Sequence, residues 1–192
     1  MAANCPCDSL FVGRFGHSLQ VSKVMNVAPE VAAIAAADYP IISSVLEFPC
    51  CFKDSNGIST IENFRVIESN TSDGALQKKG GKLLLFSAMP TTLPVAATLY
   101  EMSATDYAVD EPTYLGCIDY QGVLKTAAAL YTAKGYDKPT TKIAEWHYAI
   151  SSFLMKNPGT ETTLYGVLLS TEAVDYDSNS KISILLGLRY HR

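Results

Sequence analysis

Charged side chains are scarce in this sequence of 192 residues, since Asp, Glu, Lys and Arg make up only 18%. Ordinary soluble domains carry about 25%. The net charge is −4, and the densest basic stretch is Lys78 and Lys79 beside Lys82. A nucleic-acid-binding protein needs a concentrated basic face, and an anionic membrane attracts a polybasic patch. We therefore predict neither a nucleic-acid partner nor a membrane partner.

Long apolar runs are also missing. The most apolar stretch, Val27 to Ile42, is interrupted by two prolines and two acidic residues, whereas a transmembrane helix needs about 20 apolar residues. Residues 1–10 lack the basic region and apolar core of a secretory signal. We therefore expect the chain to be made in the cytoplasm.

Catalytic and metal-binding patterns are absent as well. The three histidines, His17, His147 and His191, are far apart and none stands in a metal-ligand motif. No Gly-x-Ser-x-Gly nucleophile motif occurs. We predict a non-enzymatic protein with no catalytic residues, no metal and no cofactor.

The five cysteines do not form a zinc-binding pattern. Cys5 and Cys7 would need a second pair of ligands, and the adjacent Cys50 and Cys51 have poor geometry for it. The number is odd, and a chain of this length does not need disulfides to be stable. We predict reduced thiols, with Cys117 in the core.

What the sequence does contain is a series of short strand patterns separated by Gly, Pro, Asn and Asp turns. This arrangement predicts an all-β fold, a jelly-roll-like β-sandwich. The predicted strands are His17–Val24, Ile41–Phe48, Ile58–Glu68, Lys82–Ala88, Tyr114–Tyr120, Ala144–Phe153, Thr162–Ala173 and Lys181–Leu188.

Two details of the strand patterns lead to specific expectations. In Ile58–Glu68, simple alternation places Phe64 and Val66 on one face and Ile61 and Ile67 on the other. Strands that are apolar on both faces, such as Thr162–Ala173, suggest a second buried surface that a neighbouring subunit would cover. A turn at residues 175–180 predicts that the last two strands form a hairpin.

The N-terminal residues differ from the rest of the chain. Residues 1–16 show neither a strand period nor a helix period, which predicts an extended N-terminal arm before a single β-sandwich domain at residues 17–192. In the arm, Phe11 and Phe15 are candidate apolar anchors, and Arg14 is a candidate hydrogen-bonding fork. We predict that these three residues bind a partner subunit.

Tyrosine is abundant, with 11 residues, many of them at predicted strand edges and loops. Its apolar ring and polar tip favour interfaces between proteins. Two other interpretations stay open, namely ordinary packing in a sandwich and a carbohydrate-binding face.

The order of several short segments resembles a family of tailed-phage proteins. The resemblance covers about the last three-quarters of the chain, from Asp38 to Leu188. The segments that carry it are Ala37–Ile42 with Leu46–Phe48, Gly57–Ile61 with Phe64–Ile67, Leu83–Pro90, Tyr114–Ile118, and Thr162–Leu168 with Ile182–Leu188.

The family contains capsid decoration, or cement, proteins encoded near the major capsid protein. The resemblance implies a jelly-roll sandwich on the capsid surface of the virion, with the major capsid protein and further copies of the chain, as a homotrimer, for partners. The arm and residues 121–148 are longer than in the family pattern. A head–tail joining protein and a carbohydrate-binding module are the alternative functions.

Overall fold

The computed structural model describes residues 12–15, 18–27, 41–52, 56–70, 79–91, 108–120, 124–126, 142–148, 153–157, 161–170, 173–176 and 178–191. Within them eleven strands and one short 3-10 helix, Glu111–Thr113, are complete, and residues 108–110 are also helical. The strands are β1 (Val12–Phe15), β2 (Ser18–Val27), β3 (Leu46–Phe48), β4 (Ile58–Asn70), β5 (Gly81–Phe86), β6 (Tyr114–Asp119), β7 (Leu124–Thr126), β8 (Lys142–Tyr148), β9 (Phe153–Lys156), β10 (Leu164–Ser170) and β11 (Ser180–His191).

The strands form two antiparallel sheets. The larger sheet has the order β1-β2-β11-β4-β8-β7, and β9 pairs with β4 beyond the end of β8. The smaller sheet has the order β3-β10-β5-β6. Early strands therefore pair with late ones: β2 with β11, β3 with β10, β4 with β8 and β9, and β5 with β6.

This nested pairing is that of a long hairpin folded over into two sheets, which is a jelly roll. The predicted all-β, jelly-roll-like sandwich is thus confirmed. The division into an arm at residues 1–16 and a domain at residues 17–192 stays a prediction. In the part of the chain that the structure describes, no helix is long and apolar enough to cross a membrane.

The core lies between the two sheets. Strand residues alternate between faces, so Leu83 and Leu85 of β5 point inward and meet Ile184 and Leu186 of β11 in one apolar cluster. Phe64 of β4 joins the same cluster and is fully buried. Burial of these side chains is the main contribution to the stability of the sandwich.

A β-bulge changes the facing of residues in β4. Asn63 pairs with Gly187 and Ile61 pairs with Leu188, so Glu62 is an extra residue in β4. An extra residue shifts the alternation by one position. Ile61 therefore points into the core together with Phe64, and the prediction that Ile61 and Phe64 lie on opposite faces is wrong.

The predicted hairpin between the last two strands is also wrong. β10 belongs to the smaller sheet, where it lies between β3 and β5, and β11 belongs to the larger sheet, where it lies between β2 and β4. The segment between them crosses from one sheet to the other. Both strands occupy interior positions, which accounts for their apolar sequences.

Candidate interaction surfaces

The described residues contain no group of three or more His, Cys, Asp or Glu side chains that could hold a metal ion. His17 lies outside the described residues, and His147 and His191 pair with different parts of β4. Their partners are Arg65 and Ile58, which are roughly 20 Å apart along a strand. The structure therefore does not bring these two histidines together.

The cysteines differ from the prediction in two respects. Cys50 is disulfide-bonded, and its partner lies outside the described residues. Cys51 is buried and forms no disulfide, in agreement with a packed thiol, but Cys117 is an exposed thiol. Cys117 is exposed because β6 is an edge strand of the smaller sheet and the residue lies on its outer face.

Two of the three predicted partner-binding residues lie in β1, at the end of the described strand order of the larger sheet. Arg14 and Phe15 belong to β1, where their backbones pair with Leu19 and Ser18 of β2. Phe11 lies outside the described residues. Residues 12–15 thus form a strand within the predicted arm, and the binding role of the three residues stays a prediction.

The outer face of the smaller sheet carries a second apolar cluster. It contains Val167 and Leu169 of β10, Phe86 of β5, and Ile41. These side chains are buried within the single chain, without any partner subunit. The apolar outer face of β10 is therefore covered by the chain itself, and the expectation that a neighbouring subunit covers it is wrong.

Three exposed apolar side chains lie next to this cluster, where β5 ends and β6 begins. Met89, Val109 and Tyr114 are 51%, 57% and 44% exposed. The ring of Tyr114 packs on Phe86, with the ring centroids 5.4 Å apart, so Tyr114 lies on the outer side of the smaller sheet. We call Met89, Val109 and Tyr114 the β5–β6 ridge.

Hydrogen bonds join the two segments that carry the β5–β6 ridge. The backbone N–H of Thr91 donates to both carboxylate oxygens of Asp110, at 2.9 and 3.0 Å. The backbone N–H of Ser87 donates to the carbonyl oxygen of Thr113 at 2.8 Å. These bonds fix the backbone that carries the ridge, and a surface that is already ordered loses less entropy on binding than a mobile one.

A second exposed apolar group lies on the larger sheet. Leu154 of β9 is 66% exposed and Ile58 of β4 is 38% exposed. Ile58 pairs with Lys156, and Leu154 precedes Lys156 by two residues, so all three point to the same outer face. We call Ile58, Leu154 and Lys156 the β4–β9 patch.

Polar contacts border the β4–β9 patch. Nε2 of His191 lies 2.6 Å from the Oγ1 of Thr60, and the guanidinium of Arg189 lies 2.8 Å from the carboxylate of Glu62. These contacts fix side chains of β4 and β11 on the outer face. Such an arrangement, an apolar centre with a polar rim, is typical of protein-binding surfaces.

Two tyrosines on the smaller sheet have raised pKa values. Partial burial raises the pKa of Tyr114 to about 12, and the neighbouring Cys117 and Asp119 add to the effect. Partial burial also raises the pKa of Tyr165 to about 12, with a hydrogen bond and negative charge from Glu161. Both hydroxyl groups are neutral at physiological pH, and that of Tyr165 donates to the Oε2 of Glu161 at 2.8 Å.

Sequence reasoning missed both exposed groups. The signal for the β4–β9 patch is the alternation in Phe153–Lys156, but our prediction placed Phe153 at the end of a strand that begins at Ala144. Phe153–Lys156 forms a separate strand, β9, paired with the other end of β4. The β5–β6 ridge has no periodic signal, because Met89 lies in a loop, Val109 lies in a helical segment and Tyr114 begins β6.

The sequence matches no protein-family model and none of the curated proteins. Its structure is similar to that of tobacco necrosis virus, with TM-score 0.34, 12% identity, and coverage of 93% of this chain and 84% of that chain. For Cocksfoot mottle virus the TM-score is 0.30 and the identity 7%, with coverage of 88% of this chain and 91% of that chain. For Mud crab tombus-like virus the TM-score is 0.29 and the identity 10%, with coverage of 98% of this chain and 93% of that chain. These similarities are too low to support an argument, so the fold assignment depends on the strand order of the chain itself.

Proposed function

We propose that this chain is a non-enzymatic structural protein of a virus particle, and that it decorates the capsid by binding the lattice of the major capsid protein. The observation that carries the proposal is the jelly-roll strand order, which is complete within one chain. This fold is frequent among viral capsid domains. The β5–β6 ridge and the β4–β9 patch add surfaces of the kind that bind other proteins.

The proposed action is stabilisation by mass action. A protein that binds the assembled lattice, and not free capsid subunits, shifts the equilibrium toward the intact shell. Such an action needs surface complementarity and no reacting groups. The low content of charged residues, 18%, is consistent with a surface that other subunits cover.

A second candidate is a subunit of the shell itself. The strand order favours it, because the same two-sheet arrangement builds the shell domains of many viruses. The two candidates differ in what they need for assembly. A shell subunit assembles with its own copies, whereas a decoration protein requires a lattice made by another protein.

The deciding experiment is the copy number of this chain relative to the major capsid protein in purified particles, measured by quantitative mass spectrometry. A decoration protein should be present in a simple ratio to the major capsid protein. A single ring of copies would instead indicate a head–tail joining protein. If the chain is the most abundant shell component, the second candidate is correct, and its absence from particles would contradict both.

A complementary experiment tests the stabilising action. Particles that lack the chain should release their contents at a lower temperature, and purified chain added back should restore the higher temperature in proportion to its concentration. The heat-unfolded chain is the matched control. No change on addition of the folded chain would contradict the decoration role.

A further inference from the structure

Among the residues whose side-chain exposure the structure describes, five large apolar side chains are exposed, namely Ile58, Met89, Val109, Tyr114 and Leu154. Three form the β5–β6 ridge and two belong to the β4–β9 patch. Single exposed apolar residues are normal on any protein, but two compact groups point to binding surfaces.

The two groups face in different directions. The inner faces of both sheets pack on the same core. Tyr114 of the β5–β6 ridge lies on the outer side of the smaller sheet, where it packs on Phe86, and the segments that carry Met89 and Val109 are hydrogen-bonded beside it. The β4–β9 patch lies on the outer face of the larger sheet, with the buried Met155 pointing inward between its exposed neighbours. One copy cannot join its own two groups, whereas two copies can.

The charges at the two groups are complementary. Glu111, which is exposed, lies in the 3-10 helix between Val109 and Tyr114 of the β5–β6 ridge. Lys156, also exposed, is the basic member of the β4–β9 patch. Opposite charges at the rim of apolar surfaces favour the correct pairing and disfavour contact between two like surfaces.

We propose that the β5–β6 ridge of one copy binds the β4–β9 patch of a second copy. The contact is heterologous, because it joins two different surfaces, so repeated contacts produce a closed ring or an open chain of copies. Glu111 of one copy lies near Lys156 of the next. This inference goes beyond the proposed role in the virion, since it concerns purified protein and its test needs no particles.

The test uses two variants that each remove one group. Met89→Asp places a charge in the β5–β6 ridge, and Leu154→Asp places one in the β4–β9 patch. Both side chains are largely exposed, so both variants should fold as the wild type does, which circular dichroism checks. Ser44→Asp, at another exposed position, is the matched control.

Sedimentation equilibrium of the purified full-length chain gives the readout. The wild type and Ser44→Asp should form the same oligomers at concentrations up to about 0.1 mM. Each ridge or patch variant alone should associate at least about tenfold more weakly, as expected for the loss of a central interface residue. An equimolar mixture of the two variants should form a one-to-one heterodimer, because one intact ridge and one intact patch remain.

The mixture separates this proposal from its competitors. If two ridges bind each other, the Leu154→Asp variant alone still dimerises and the mixture gives no heterodimer. If both groups bind only another protein, the wild type is monomeric. Either result overturns the proposal, and neither contradicts the presence of the chain in virus particles.

A charge exchange gives an independent readout. Lys156→Glu and Glu111→Lys should each weaken association about fivefold, and the chain that carries both substitutions should regain most of the affinity. If the losses of affinity in the two single variants simply add in the double variant, Glu111 and Lys156 do not meet. That result overturns the proposed pairing.

Discussion

Gly81, at the start of β5, occupies a site with no room for a side chain. A Cβ atom there would lie 2.1 Å from the hydroxyl oxygen of Tyr120 and 2.3 Å from the carbonyl oxygen of Leu169. The second contact is with the backbone of the adjacent strand, which cannot move away at a low cost in free energy. We expect Gly81→Ala to lower the free energy of unfolding by roughly 1–3 kcal/mol, as overpacking does, measured by urea denaturation.

Gly166→Ala is the matched control for this prediction. A Cβ at residue 166 would first meet the Cδ1 of Leu83 at 3.0 Å, and the end of a leucine side chain can shift by a few tenths of an ångström. The loss of stability should therefore be smaller than for Gly81→Ala. If Gly166→Ala loses as much stability as Gly81→Ala or more, the backbone of Leu169 moves to accommodate the Cβ at residue 81.

Tyr165 offers a test of electrostatics at a single residue. Its hydroxyl donates to the Oε2 of Glu161 at 2.8 Å, and burial together with this carboxylate raises its pKa to about 12. The native chain keeps a proton that the unfolded chain releases near pH 10, so stability should fall as the pH rises from about 10 to about 12. We expect Glu161→Gln to lower the pKa of Tyr165 and so to narrow the pH range over which stability falls.

The measurement is an ultraviolet titration of tyrosine ionisation, with Tyr165→Phe identifying the step that belongs to this residue. Glu111→Gln, which removes an exposed carboxylate that does not contribute to the raised pKa of Tyr165, is the control and should leave the step unchanged. A step at the ordinary pH for tyrosine in the wild type would contradict the prediction.

For single residues, the sequence predicted correctly which face of the sheet a side chain occupies where simple alternation holds. It predicted the face incorrectly where the alternation is interrupted. Phe64 and Val66 share the core face, as alternation requires. Ile61 does not follow the pattern, because the extra residue Glu62 shifts it to the core face. A bulge depends on the partner strand, in this case at Gly187, and no local pattern around Ile61 reveals it.

Asp110 joins its own helical segment to the residues that follow β5, and so acts at the level of an element. Its buried carboxylate accepts the N–H of Thr91, and its carbonyl oxygen accepts the hydroxyl of Thr113 at 2.9 Å. We expect Asp110→Ala to lower the free energy of unfolding by about 1–3 kcal/mol, because it leaves a donor of Thr91 without its partner. Amide hydrogen exchange at Thr91 should accelerate.

Glu111→Ala is the control for the Asp110 prediction, since its side chain is exposed in the same short helix. Its effect on stability should stay within about 0.5 kcal/mol. If Asp110→Ala changes neither stability nor exchange at Thr91, the β5–β6 ridge is not held by this carboxylate.

Most of the predicted strands exist, and their boundaries show what sequence patterns miss. Ile58–Glu68 corresponds to β4 and Lys181–Leu188 to β11, although both are longer in the structure. Ile41–Phe48 was predicted as one strand, but only Leu46–Phe48 is a strand and Ile41 forms a single bridge to Leu169. Apolar residues between strands resemble strand residues when they are buried.

For the whole molecule, the N-terminal residues give the clearest test. Deleting residues 1–16 removes β1, which among the described strands pairs with β2, and it also removes Cys5 and Cys7 and with them the disulfide of Cys50. β2 keeps its register with β11 from Leu19 to Val27, so we expect the sandwich to remain folded. If Phe11, Arg14 and Phe15 bind a partner subunit, the shortened chain should bind particles more weakly.

The measurements are circular dichroism for folding and co-sedimentation with particles for binding. The full-length chain with alanine at Phe11, Arg14 and Phe15 is the matched variant, because it keeps the backbone of β1. Particle binding equal to that of the wild type in both variants would remove the predicted role of the three residues.

The fold class was predictable from the whole sequence, because short apolar segments between turns allow few arrangements other than a sandwich or barrel. Which strand joins which sheet was not predictable, because the choice depends on pairings between distant residues. β10 and β11 show this directly, since they are neighbours in sequence and belong to different sheets.

The place of β11 also has a consequence for the synthesis of the chain. β11 is the last of the described strands, and it lies between β2 and β4, which have no direct pairing with each other. While the ribosome has not yet released residues 180–191, the larger sheet lacks the strand that joins its two halves. During this interval the edges of β2 and β4 are open to incorrect pairing. Folding of the larger sheet is completed only after translation of β11.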